Sequence, residues 1–121
     1  MQEFMTNQHK RFGYAIAGFC HAYRSDKNFR LQVQVLMFYP LFGWIVWPLS
    51  PTEILFLSLS YALILITELQ NTSFEKALDR LHPELHDDIG ASKDIAAAAV
   101  LTAGLFALVV VLVILTSRIH V

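Results

Sequence analysis

The chain has 121 residues, of which 55% are hydrophobic and 16% charged, and its mean hydropathy is +0.49. That length fits one domain, and soluble domains carry nearer about a quarter charged residues, so the balance predicts an integral membrane protein. A net charge of −1 offers no basic surface for nucleic acid, and the single cysteine, Cys20, excludes an intrachain disulfide framework and a cysteine-rich metal cluster.

Residues 1–8 carry no pattern and are expected to fray. Phe12, Ile16, Phe19, Cys20 and Tyr23 then recur at helical spacing. Lys10, Arg11, His21, Arg24 and Lys27 surround that stripe. The pattern predicts an amphipathic helix over residues 10–28, lying in the membrane interface. The alternative is a soluble helix packed on the rest of the chain. No cleavable signal pattern stands out, so the apolar segments are expected to serve as their own targeting signals.

Residues 31–49 form the first expected span, with Gln32 and Gln34 at its start and Trp44 and Trp47 near its end. Tryptophans at that level suit the headgroup boundary, and Pro40 is expected to kink the helix. After a tight turn, Pro51 and Thr52 are start signals for a second helix. Its uncharged stretch is short for a span, so the crossing must run past Thr67 to about residue 70 and carry Glu68 to the boundary. Residues 95–116 are the clearest span, without a charge. Residues 71–94 between these spans read as a further helix and a loop. Five Lys and Arg residues precede residue 31, three lie in 68–94, and only Arg118 follows the last span. The positive-inside rule therefore puts the N-terminus and the 68–94 segment on the cytoplasmic side.

Within ELQNTSFEKALDR (68–80), helical geometry at 100° per residue puts Glu68, Glu75 and Asp79 within about 40° of one another, with Asn71 and Thr72 beside them. Stacked carboxylates repel, so such a face calls for cations, either a hard divalent ion such as Mg²⁺ or nearby Lys and Arg. A soluble helix would simply hydrate the face. At the end of a membrane span, an ionisable residue such as Glu68 is a functional candidate. Pro83 breaks the helix, and Ser92 is expected to cap the next one, with Lys93 and Asp94 at its start as a phosphate site. His82 and His86 are not expected to hold zinc, because Pro83 interrupts the helix that would align them. Ala96 to Ala99 allow close helix approach, within the chain or between subunits. No phosphate-binding glycine loop is present.

Glu68-x-x-Asn71-Thr72-x-x-Glu75-x-x-x-Asp79, followed by His86 and then Lys93-Asp94-x-Ala-x-Ala-Ala-Val100, resembles the small prokaryotic diacylglycerol kinase and undecaprenol kinase family. Gly13-Tyr14, Gly18 and Asn28-Phe29-Arg30 extend the resemblance over nearly the whole chain. It implies an all-α homotrimeric bundle, each chain having an amphipathic interfacial helix and three transmembrane helices, in the bacterial inner membrane. It implies transfer of phosphate from ATP, with Mg²⁺, to a membrane lipid hydroxyl at the cytoplasmic surface.

By position, Glu68 matches the general base, and Asn71 and Lys93 further catalytic positions. Glu75 matches the metal ligand. Tyr14, Asp79, Glu84, His86, Lys93 and Asp94 match nucleotide contacts, and Lys10 matches one loosely. Asp26 stands where the family usually has Glu as a second metal ligand, one methylene longer. The Asp26–Arg30 element and His82-Pro83 lean the resemblance toward undecaprenol as acceptor, with diacylglycerol close behind. A reading of another class is a small membrane cation carrier that uses the acidic face for ions alone. It gives no reason for Asn71 or for the Lys93-Asp94 pair.

Overall fold

The computed structural model describes residues 2–84 and 86–119, and five helices follow one another there. They are α1 (Gln2–Ser25), α2 (Lys27–Leu36), α3 (Phe38–Ile45), α4 (Pro51–Leu81) and α5 (Asp87–Ile119). Helix α1 starts eight residues before the expected Lys10, so the expected fraying is corrected for residues 2–8. No Gly or Pro precedes Gly13, and Gln, Glu and Met are good helix formers. The helix stops at Ser25 because Asp26 caps the next one, its Oδ1 accepting the Phe29 N–H at 2.8 Å.

The expected first span is two short helices, α2 and α3, that meet at Met37. Pro40 accounts for the position of the break, three residues earlier than the proline itself. It has no N–H to give the Leu36 carbonyl, and its ring crowds that same carbonyl one turn back. Neither piece alone is long enough to cross a bilayer.

Helices α4 and α5 form a long antiparallel hairpin and hold most of the tertiary contact. Ser50 caps α4, its Oγ accepting the Glu53 N–H at 3.2 Å, while Glu53 Oε2 accepts the Ser50 N–H at 2.7 Å. This is a capping box with Pro51 at the first helical position. Ala103, Ala107, Val110 and Ile114 are buried along one seam of α5, at the alternating three- and four-residue spacing of helix–helix packing. Leu57 and Val46 close the core with Tyr39, Phe42, Leu49 and Phe106.

At the far end of the hairpin, Arg118 donates to the Val46 and Pro48 carbonyls at 3.2 and 3.0 Å. It also forks onto Glu53, at 3.0 and 3.1 Å. The arginine that reads in sequence as a lone flanking charge thus ties the α3–α4 turn to the end of α5.

Helices α4 and α5 are both long and apolar enough to cross a membrane. At 1.5 Å per residue, the 33 residues of α5 span about 50 Å, well beyond a hydrocarbon core of about 30 Å. Leu101, Leu105, Val109 and Val113, one turn apart on α5, remain exposed, an apolar stripe of the kind that marks a membrane or protein contact. The first half of the α1 stripe is uncovered too, with Phe12 71% and Ile16 51% exposed. The chain itself leaves that half of the stripe unpacked, which counts against the soluble alternative.

Only the end of α1 is anchored. Phe29 is fully buried, and Phe19 meets it edge-on with ring centroids 5.4 Å apart. Truncating a buried Phe to Ala typically costs about 3–5 kcal/mol. Phe29→Ala should therefore lower the thermal unfolding midpoint in detergent clearly, whereas Leu31→Ala, at an exposed position, should not. Equal midpoints for the two variants would remove the anchoring role.

Candidate active site

The acidic face is real and lies on one unbroken helix. Along α4, Glu68 is 6% exposed, Thr72 is buried, Asn71 and Glu75 are half-buried, and Asp79 is exposed. The face therefore runs from the end of the apolar stretch out toward water over about three turns. α2 packs on α4 here, and the Gln32 side chain interacts with the Glu68 carboxyl. The charges of Asp26 and Glu75 act at the same carboxyl. Gln32 drew notice in the sequence only as a polar residue in an apolar run. Its partnership with Glu68 needed the fold.

Lys93 reaches across from α5 and forms an ion pair with Asp79. The hydrogen bond that the Lys93 ammonium donates to Asp79 Oδ1 holds it above its ordinary pKa, and Glu75 adds to the effect. Lys93 therefore stays charged throughout the physiological range. Its position does not arise from a helix start, and the expected cap at Ser92 is corrected. Helix α5 begins at Asp87, with Asp87 and Asp88 in its first turn, where acids favour the N-terminal end of the dipole. His86 precedes it, its Nδ1 accepting the Asp88 N–H at 3.2 Å and its carbonyl accepting the Gly90 N–H at 3.0 Å. Ser92 and Lys93 thus lie within the second turn, past the free N–H groups of a helix start.

Asp26, Glu68, Asn71, Glu75, Asp79 and Lys93 thus follow one face of α4, with Asp26 at the start of α2 acting on Glu68 and Lys93 of α5 paired with Asp79. The remaining candidates stand apart from it. Tyr14 is 72% exposed, in a surface groove it shares with Lys10 and Arg11 on α1 alone. Glu84 and His86 are exposed in the α4–α5 turn, and Asp94 is exposed on α5.

The donor set suits a hard cation. Among the described residues, no three His, Cys, Asp or Glu side chains are grouped to hold a metal by themselves. Mg²⁺ commonly needs only one or two carboxylates when substrate phosphates complete its shell. Asn71 Oδ1 is buried without a hydrogen-bond partner, one turn from the Glu75 carboxylate on the same face. Buried carbonyl oxygens rarely go unsatisfied, and this one is the donor type that Mg²⁺ takes. Asp26 keeps one carboxylate oxygen beyond that used in its cap.

The prokaryotic diacylglycerol kinase family model matches residues 13–115. The chain is 32% identical over 110 residues to the diacylglycerol kinase of Escherichia coli strain K12, an alignment covering 90% of this chain and 88% of that one. The diacylglycerol kinase of Shigella flexneri matches with the same identity and coverage.

Proposed function

The chain belongs to the prokaryotic diacylglycerol kinase family, and we propose that it transfers the γ-phosphoryl group of Mg·ATP to a membrane lipid hydroxyl at the cytoplasmic surface. The observation that carries this reading is the buried Glu68 carboxyl at the end of the apolar run of α4, on one face with Asn71, Glu75 and the Asp79–Lys93 pair.

A lipid hydroxyl stays at the membrane boundary, and Glu68 sits at that depth. Its carboxylate takes the hydroxyl proton as the hydroxyl oxygen attacks the γ-phosphorus and the bond to the β-phosphate oxygen breaks, releasing ADP. Lys93 faces the same region and offsets charge on the transferring group. Glu75 and Asn71, with Asp26 as a further donor, would hold Mg²⁺, which would supply positive charge to offset that of the phosphates. Asp79 holds the Lys93 ammonium in place. Tyr14, Glu84, His86 and Asp94 complete the nucleotide contacts in this reading.

The α2–α3 pair supplies the third crossing, because its 19 residues reach about 28 Å end to end. The pairing of Arg118 with Glu53 leaves the outer side without a free Lys or Arg among the described residues. That supports a cytoplasmic N-terminus and a cytoplasmic 68–94 segment in the bacterial inner membrane. The uncovered apolar face of α5 and the small residues Ala96 and Ala99 support close packing against further copies, as in a homotrimer.

Diacylglycerol is the acceptor favoured by the relatives' names, and the lean toward undecaprenol finds no support in them. The test supplies γ-labelled Mg·ATP to the detergent-solubilised chain with diacylglycerol or undecaprenol. The reading predicts labelled lipid, with diacylglycerol the better acceptor. A folded oligomer that binds Mg²⁺ but labels neither lipid would favour the cation carrier.

A further inference from the structure

Two glutamines stand at the start of the first apolar run, and the fold treats them differently. Gln34 is exposed, whereas Gln32 is half-buried. Phe29, Gln32 and Leu36 fall within about 60° of one another around α2, and Phe29 and Leu36 are 0% and 3% exposed. Gln32 is thus the polar member of the buried face of α2, which packs against α1 and α4.

Glu68 meets Gln32 from α4 and is 6% exposed. Asp26 and Glu75 act on its carboxyl as like charges, and Gln32 is the one side chain that hydrogen-bonds it among the described residues. No Lys or Arg pairs with Glu68 there. Lys93 is engaged with Asp79, and Arg118 with Glu53 at the far end of the hairpin. The buried carboxyl therefore has one neutral partner and no cation.

That partnership suits a base. A carboxylate has two oxygens, and an amide N–H can fix one while the other stays open to a hydroxyl proton. A cation in the same place would favour the charged carboxylate strongly and weaken it as a base. Gln32 is itself held firmly. The Asp26 cap sets the start of α2, and buried Phe29 and Leu36 fix the helix on either side of the glutamine. We propose that Gln32 is a positioning residue for Glu68, its side-chain amide holding the buried carboxyl in the orientation that accepts the proton of the lipid hydroxyl. The inference rests on the proposed role of Glu68 as the base. Gln32 acts through Glu68 and has no part in holding Mg·ATP.

The test measures steady-state transfer from γ-labelled Mg·ATP by the full chain in detergent, to whichever of diacylglycerol and undecaprenol wild type labels better. It compares wild type, Gln32→Leu, Glu68→Gln and the double variant, with Gln34→Leu as the control. Leucine roughly keeps the size of glutamine and suits an apolar seam, so Gln32→Leu should unfold no earlier than wild type. Its kcat should fall about ten- to a hundredfold, the upper figure being what a misplacement of about 1 Å can cost. The KM values for lipid and for Mg·ATP should hardly change. In Glu68→Gln, adding Gln32→Leu should not lower the residual rate further, because the group it positions is already gone. Gln34→Leu should match wild type.

A glutamine that served only the packing of α2 would lower the unfolding midpoint when replaced and cost as much in either background. Equal losses of kcat in the two backgrounds, or an unchanged kcat in Gln32→Leu, would overturn the positioning role and leave the kinase reading standing. Wild type that labels neither lipid would overturn the kinase reading, and this role with it.

Discussion

Glu68→Gln should lower the rate of lipid phosphorylation by on the order of a hundredfold to ten-thousandfold, the usual contribution of a positioned general base. The substitution keeps the size and hydrogen-bonding outline of a side chain that is 6% exposed, and the Gln32 amide remains beside it. It removes the atom pair able to accept the lipid proton. Since Glu68 is the member of the face nearest the membrane, its loss should fall on turnover and hardly on the affinity for Mg·ATP. A loss of ATP affinity as large as the loss of rate would contradict the assignment of the base.

Glu75→Gln should abolish transfer at ordinary Mg²⁺, with a fall of at least about a hundredfold, because even groups that only support a metal ligand cost about ten- to a hundredfold. Glu75 lies one turn from the unsatisfied Asn71 Oδ1, and its charge acts both at Glu68 and at Lys93. Neutralising it weakens the Mg²⁺ site and also removes charge from between the base and the cation. Raising the Mg²⁺ concentration should recover part of the activity. Full activity of Glu75→Gln at ordinary Mg²⁺ would take the metal role away from this residue.

Much of the site was legible because it lies on one helix. The 100° step that predicts a common face for Glu68, Glu75 and Asp79 depends only on α4 continuing to Leu81, and it does. The apolar runs of α4 and α5 were equally plain, since a membrane span announces itself by composition.

Three features were not legible, and each depends on something outside the local run. The break at Met37 lies one turn before Pro40, because proline disrupts the carbonyl behind it. The start of α5 at Asp87 looked like loop because acids, Gly90 and Ser92 resemble loop residues. In fact Asp87 and Asp88 favour a helix N-terminus, and a single glycine does not end a helix. That Lys93 would face the carboxylates was legible, but its choice of Asp79, 14 positions away, and the pairing of Arg118 with Glu53, 65 positions away, were not. No periodicity reports contacts of that kind. Glu53 drew no notice in the sequence, although Ser50 three residues earlier was a signal for a capping box.

The account divides one helical face between a lipid and a nucleotide. Equilibrium binding of Mg·ATP to Glu68→Gln and Glu75→Gln, side by side in detergent, tests that division most directly. Glu68→Gln should bind Mg·ATP as wild type does, while Glu75→Gln should bind it many-fold more weakly. Equal losses in the two variants, or a larger loss in Glu68→Gln, would contradict the division.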